Sequence, residues 1–279
     1  MDQKLKSKLE VSVIYIIIAI VSIIIFYPLI WTVGMSLNPG TSLYSSSIIP
    51  ESFSLEHYKW LFSDGSDYLT WYKNSLIVSS FVAAGSVILT SLIAYAFSRY
   101  QFVGRKNGLY VFLLLQMFPV MMAMVALYIF LNMIGLLDTL TGLILIYLGG
   151  QIPFNAWLVK GYFDTIPREL DQAARIDGAG HLRVFWSIML PLAKPILAVV
   201  ALFNFMMPMF DFLLPSIVLT SESNYTLAVG LFNFINDQFS NNFTRFAAGS
   251  ILVAIPIAGI YLFLQRYLIS GLTAGGSKG

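Results

Sequence analysis

The sequence has no cysteine, which excludes disulfides, thiolate metal sites and cysteine nucleophiles. It has two histidines, His57 and His181, far apart in the chain. A histidine metal centre or a Ser/His/Asp triad therefore has almost no material. Charge is also scarce: Asp, Glu, Lys and Arg make up 11% of the 279 residues, against about 25% in an ordinary soluble domain. So little charge cannot cover a water-facing globule of this size, which argues against a soluble enzyme. The net charge of +2 is too small to call for nucleic acid. No G-x-x-x-x-G-K-[ST] loop is present to cradle ATP phosphates. The fragment Gly178-Ala179-Gly180 lacks a third glycine and follows no strand. No catalytic residue, metal site or bound cofactor is therefore expected, and any uphill transport must draw its energy from a partner or an ion gradient.

What the chain has is apolar length: 58% of it is hydrophobic. Crossing hydrocarbon takes about 20 mostly apolar residues per helix. Six stretches qualify, over 11–33, 75–97, 109–131, 141–159, 195–219 and 246–268. The fourth is the weakest, because it holds Gly149, Gly150, Gln151 and Pro153. The first follows Lys4, Lys6 and Lys8 like a signal peptide, but its apolar run is too long and no cleavage site follows. The expected fold is all-α and integral to the membrane, one transmembrane domain over 1–279.

Of the sixteen Lys and Arg, thirteen fall on one side of this topology and only Lys59, Lys73 and Arg245 on the other. The positive-inside rule then puts both termini and the 160–194 loop in the cytoplasm. Trp31, Trp60, Trp71, Tyr72, Trp157 and Tyr267 lie near span ends, as interfacial anchors do.

The loop over 160–194 is the richest segment. Pro167 suits a first helical turn, and Glu169 and Asp171 suit the positive end of the helix dipole. Leu170, Ala173 and Ala174 form one small, smooth face, and Gly178 is placed for a left-handed cap. A second helix follows, with Leu182, Phe185, Trp186, Met189 and Leu190 on one side. An alanine face fits close docking in a partner groove, or packing on the chain's own bundle.

Three polar groups fall inside the expected spans. Asp211 lies between Pro208 and Pro215, where a carboxylate is costly. It either lines a pathway or caps and packs near the surface. Gln116 and Asn204 are cheaper to bury. They either join helices or contact a passing solute.

The loop resembles the "EAA" loop of ATP-binding-cassette importer permeases through Gln172-Ala173-Ala174, Asp177-Gly178-Ala179 and Leu190-Pro191, in that order and spacing. More specifically the chain resembles the smaller maltose/maltodextrin-type sugar permease. The likeness runs through Gln116-Met117-Phe118-Pro119, Val125-Ala126-Leu127-Tyr128, Tyr147-Leu148-Gly149-Gly150, Lys160-Gly161-Tyr162-Phe163, Tyr225–Gly230 and Gly271–Gly276. The resemblance implies a type I importer permease fold of six transmembrane helices, with a cytoplasmic coupling helix between spans four and five. It implies docking of Asp171, Gln172, Ala173, Ala174, Arg175, Asp177, Gly178 and Ala179 on an ATPase, which uses ATP and Mg. The implied partners are an ATPase dimer, a second permease in a heterodimer, an extracytoplasmic sugar-binding protein reached by the loop around 232–244, and membrane lipid. The family's leading Glu falls on Gln172, so its charge is missing, and Asp171 is expected to supply part of it. Asp211 resembles the polar position before Leu-Leu-Pro in such permeases. A secondary transporter would instead show inverted repeats, and none is visible. A membrane enzyme would need clustered catalytic residues.

Overall fold

The computed structural model describes residues 3–41, 50, 52–236 and 241–276. Every regular element among the described residues is helical. In chain order they are α1 (Gln3–Ser36), α2 (Glu56–Leu61), α3 (Tyr68–Arg99), α4 (Gly108–Gln116), α5 (Val120–Met133), α6 (Leu140–Thr165), α7 (Arg168–Ile176) and α8 (His181–Val184). A π-helical turn over Phe185–Met189 precedes α9 (Leu190–Leu192), α10 (Lys194–Phe210), α11 (Leu213–Val218), α12 (Leu227–Asn233) and α13 (Phe243–Gly276).

Four helices are long and apolar enough to cross a membrane, within α1, α3, α6 and α13. Two bent pairs bring the number to six if each pair is counted as one span. Gly108–Gln116 and Val120–Met133 meet at 95°, and His181–Leu192 and Lys194–Phe210 meet at 78°. The expected span over 109–131 is therefore not a straight helix, and the one over 195–219 is interrupted at Asp211. Pro119 breaks the first, because its ring cannot continue the helix and it has no N–H to donate. The second ends at Asp211, whose backbone is extended, and resumes as α11. The expected fourth span is longer than 141–159, and Gly149, Gly150 and Pro153 do not interrupt α6. Lys160 and Asp164, paired at 2.6 Å one turn apart, carry the helix past its apolar run. It stops at Thr165 because Ile166 precedes Pro167 and is extended.

The chain divides into two compact units. One comprises residues 1–68 and 231–254. Here the His57 ring is bonded to Asn38 O at 2.9 Å and the Tyr58 hydroxyl donates to Ser36 Oγ at 2.9 Å. The Arg245 guanidinium lies 3.5 Å over the Trp60 ring, so Trp60 serves as a cation–π platform.

The other unit comprises residues 69–230 and 255–279. It has two apolar clusters. The first joins α3, α6, the π turn and α10 through Ala94, Phe163, Phe185, Met189 and Val200. The second joins α3, α5, α6 and α11 through Val78, Leu131, Leu143 and Leu214. Trp71, expected as an interfacial anchor, is buried instead, and its indole N–H donates to Glu222 O at 3.0 Å. Gly230 leaves room for that ring: a Cβ there would sit 2.1 Å from Trp71 Cδ2 and Cε3. Gly230→Ala should therefore destabilise the chain by about 1–3 kcal/mol through overpacking, seen as a lowered unfolding midpoint in detergent.

Candidate functional site

α7 begins after Pro167, with Glu169 and Asp171 in its first turn. It closes in a Schellman motif. Ala179 N–H donates to Ala174 O at 2.9 Å and Gly178 N–H to Arg175 O at 3.0 Å. Gly178 has a φ of +82°, as the expected left-handed cap requires.

The faces of α7 differ from the expected ones. Asp171 is buried, and its carboxylate pairs with the Arg99 guanidinium at the end of α3. That pairing sets the rotation of the helix. Ala174, one turn on from Asp171, is drawn against the cluster around Phe163 and Phe185. Leu170 and Ala173 point outward, so the expected Leu170–Ala173–Ala174 face is split. The outward stripe is Glu169, Gln172, Ala173 and Ile176, spaced i, i+3, i+4, i+7, and Ile176 is 87% exposed. Because Asp171 is committed to Arg99, it cannot supply the charge missing at Gln172. This overturns the role expected for it.

Beyond the cap, one Arg175 Nη lies 2.8 Å from His181 Nδ1, and the His181 ring stacks on Tyr100 at 4.7 Å between centroids. Asp177 is exposed and Ala179 half-buried. The following segment does not present one apolar side. The π turn places Phe185 and Met189 in the core and leaves Leu182 and Trp186 exposed.

The three polar candidates in the spans do not converge. Asn204 is 2% exposed and forms a knot between helices. Its Oδ1 accepts from Ser86 Oγ and Asn155 Nδ2, both at 3.1 Å, and its Nδ2 donates to Val200 O at 2.8 Å. It also borders a cleft of about 480 Å³ together with Gln151, Asn155 and Met207. Asp211 caps α11: Oδ1 accepts from the Leu213 and Leu214 N–H groups at 3.0 and 3.4 Å, while Oδ2 accepts from the Tyr147 hydroxyl at 2.9 Å. Both oxygens are in use, which favours capping and packing over a free pathway carboxylate. Gln116 Nε2 donates to Gly150 O across the α4–α6 contact. It is exposed, just before the Pro119 break.

The sequence reading missed Asp138. This residue sits at a φ of +57°, and its N–H donates to Val218 O at 2.9 Å. Its carboxylate accepts from the Thr220 and Ser221 N–H groups at 2.9 and 3.0 Å and from the Ser221 hydroxyl. Its carbonyl accepts from Asn224 Nδ2 at 2.7 Å. Burial pushes the carboxyl pKa up, but the hydrogen bonds outweigh burial and hold it at about 2. The folded value lies below the unfolded one of about 3.9, so the clamp's contribution is complete above about pH 4 and is lost as pH falls towards 2. Asp138→Ala should lower stability at neutral pH by about 1–2 kcal/mol, while Asp138→Asn, which tolerates the left-handed backbone, should cost less. Thermal unfolding of the purified chain checks the order.

A family model described as "Binding-protein-dependent transport system inner membrane component" matches residues 86–273. The chain is 48% identical to the galactooligosaccharides transport system permease protein GanQ of Bacillus subtilis, over 100% of this chain and 99% of that one. It is also 48% identical to the maltodextrin transport system permease protein MdxG of the same organism, over 95% of each. A crystal structure of a bacterial ABC transporter that imports the acidic polysaccharide alginate contains a chain of similar fold. The TM-score is 0.82 at 24% identity, covering 96% of this chain and 98% of that one.

Proposed function

We propose that this chain, which belongs to the family of binding-protein-dependent transport system inner membrane components, carries a short oligosaccharide of the maltodextrin or galactooligosaccharide kind. The observation that carries this reading is the end-to-end similarity, at equal identity, to permeases named for those two sugars. The chain is a permease subunit and not itself an enzyme. It forms part of the pathway, and a separate ATPase dimer hydrolyses ATP with Mg as its cofactor.

The docking element is α7, through Gln172, Ala173 and Ile176. These residues are exposed on a helix whose ends are fixed by Pro167 and Gly178. Arg175, Asp177 and Ala179 shape its exit. Asp171 and Ala174 hold the helix on the bundle and stay out of the groove.

A second permease covers the bend at Pro119. Met117, Met121, Met122 and Val125 flank it and are all exposed. An interrupted helix at membrane depth is tolerated only where protein or water covers it. The extracytoplasmic sugar-binding protein meets the opposite side. The loop proposed to reach it spans 232–244, and residues 237–240 of it lie outside the described residues. Asn204 borders the cleft, but its amide is committed to the knot between helices. Gln116 and Asp211 serve helix contacts.

The substrate is tested with the complex purified with its binding protein. Stimulation of ATP hydrolysis by maltodextrin or by galactooligosaccharide supports the reading, and stimulation by neither rejects it. Both termini and the 160–194 loop are cytoplasmic on this reading. The cysteine-free chain allows a clean check: Ser223→Cys, at an exposed position, should react with an impermeant maleimide added outside intact cells. Labelling from the inside only would invert the topology.

A further inference from the structure

We infer that Arg99 is the positioning residue through which displacement of α7 is carried into the transmembrane helix α3. This inference rests on the docking role proposed for α7. Arg99 is the last residue of α3, and its side chain reaches three segments at once. It ion-pairs with Asp171 of α7, one Nη donates to Ile166 O at the end of α6 at 2.9 Å, and the same nitrogen lies 3.6 Å from Met189 Sδ in the π turn. The Arg99 and Asp171 side chains are 4% and 8% exposed. Asp171 Oδ1 has no hydrogen-bond partner among the described residues, so Arg99 alone compensates that buried charge.

Stability does not explain why charge sits here. Arg99 reaches Met189 of an apolar cluster that also holds Phe163 and Phe185. A buried ion pair is commonly no more stabilising than apolar residues of the same volume, and its best-attested use is to fix register. Here it fixes the first turn of α7 to one residue of α3. The anchor is itself held. Arg105 donates to Phe97 O at 2.8 Å and Ser98 O at 2.9 Å, and Arg168 donates to Ser98 O at 3.3 Å, so guanidinium groups cap the last carbonyls of α3. Ser98 Oγ donates to Asp164 of α6 at 2.7 Å. A push on the outward stripe of α7 therefore meets a rigid strut at Asp171–Arg99. It is delivered to α3 as well as along the chain into α6 and α8. From there the Ser86–Asn204–Asn155 knot ties α3 to α10 and α6.

The test uses the whole complex with its ATPase and second permease. The parental complex is measured first: failure to retain the ATPase or to couple hydrolysis to import would reject the docking reading, independently of Arg99. In Asp171→Asn, which keeps volume and removes charge, the ATPase should stay bound. Import per ATP should fall about tenfold or more, within the usual range of coupling between sites. Arg99→Gln should behave alike. The reversed pair, Arg99→Asp with Asp171→Arg, should recover most of the lost coupling. Parental import per ATP in either assembled single variant would overturn the inference. If the single variants fail to assemble, the reversed pair decides. Recovery of assembly together with coupled import supports the strut, and assembly without import, or no recovery, overturns it.

Discussion

Gly178→Val should abolish coupled transport while leaving the spans inserted. Gly178 has a φ of +82°, where a β-branched residue is a genuine outlier. The cost is about 1–3 kcal/mol of backbone strain, which is a large share of what holds a nine-residue helix in place. Space is not the obstacle, since a Cβ at this position would meet nothing within 4 Å. The effect should therefore follow backbone preference and not size. Asn, which visits the left-handed region readily, should be tolerated best, Ala should be intermediate and Val worst. If the cap opens, the bonds from Gly178 and Ala179 to Arg175 and Ala174 are lost, and the end of α7 no longer presents Ile176 in a fixed direction. Co-purification of the ATPase and sugar uptake, measured on the same preparations, check the order. A size-ordered series would point instead to an occluded contact at Gly178 in the complex.

The second large effect separates the two sides of α7. Ile176→Glu or Ala173→Asp should leave the permease folded, because both positions are exposed. Each puts a charge into the proposed groove, at a cost of about 3 kcal/mol, or on the order of a hundredfold in affinity for the ATPase. Ala174→Asp should act differently. Ala174 packs on the chain's own cluster, so the charge falls in the core and the permease itself should lose stability. Unfolding in detergent without the ATPase tells the cases apart. Ala174→Asp should lower the midpoint, and Ile176→Glu should not.

Much of this could be read from one chain. The bounds of α7, its acidic first turn and its glycine cap follow from local chemistry within a dozen residues, and the structure repeats them. Four of the six apolar stretches fall in the single long helices α1, α3, α6 and α13, the third is the bent pair α4–α5, and the fifth is α10 with α11. What was illegible is what depends on distant partners. The pattern of Leu170, Ala173 and Ala174 shows apolarity but cannot show that Arg99, far upstream, turns Asp171 inward and carries Ala174 with it. Hydropathy averages across Pro119 and Asp211, so each stretch reads as a continuous span although the backbone breaks at both. Trp71 looks like an interfacial ring until Gly230, far downstream, is seen to make room for it. Asp138 gave no local signal, because its partners Thr220, Ser221 and Asn224 come from a remote loop. For Asp211 the sequence allows two readings, and its bonds with Tyr147 and the start of α11, both remote or beyond a break in the helix, favour capping and packing.

The most direct test of the account is sugar uptake into proteoliposomes holding this chain, its second permease and the ATPase, with binding protein and sugar outside. Uptake should require ATP and Mg inside, be indifferent to collapse of ion gradients by ionophores, and be lost in Ile176→Glu while the permease pair remains assembled. Uptake that continues without ATP and stops with the ionophore would contradict the account and identify a gradient-driven transporter.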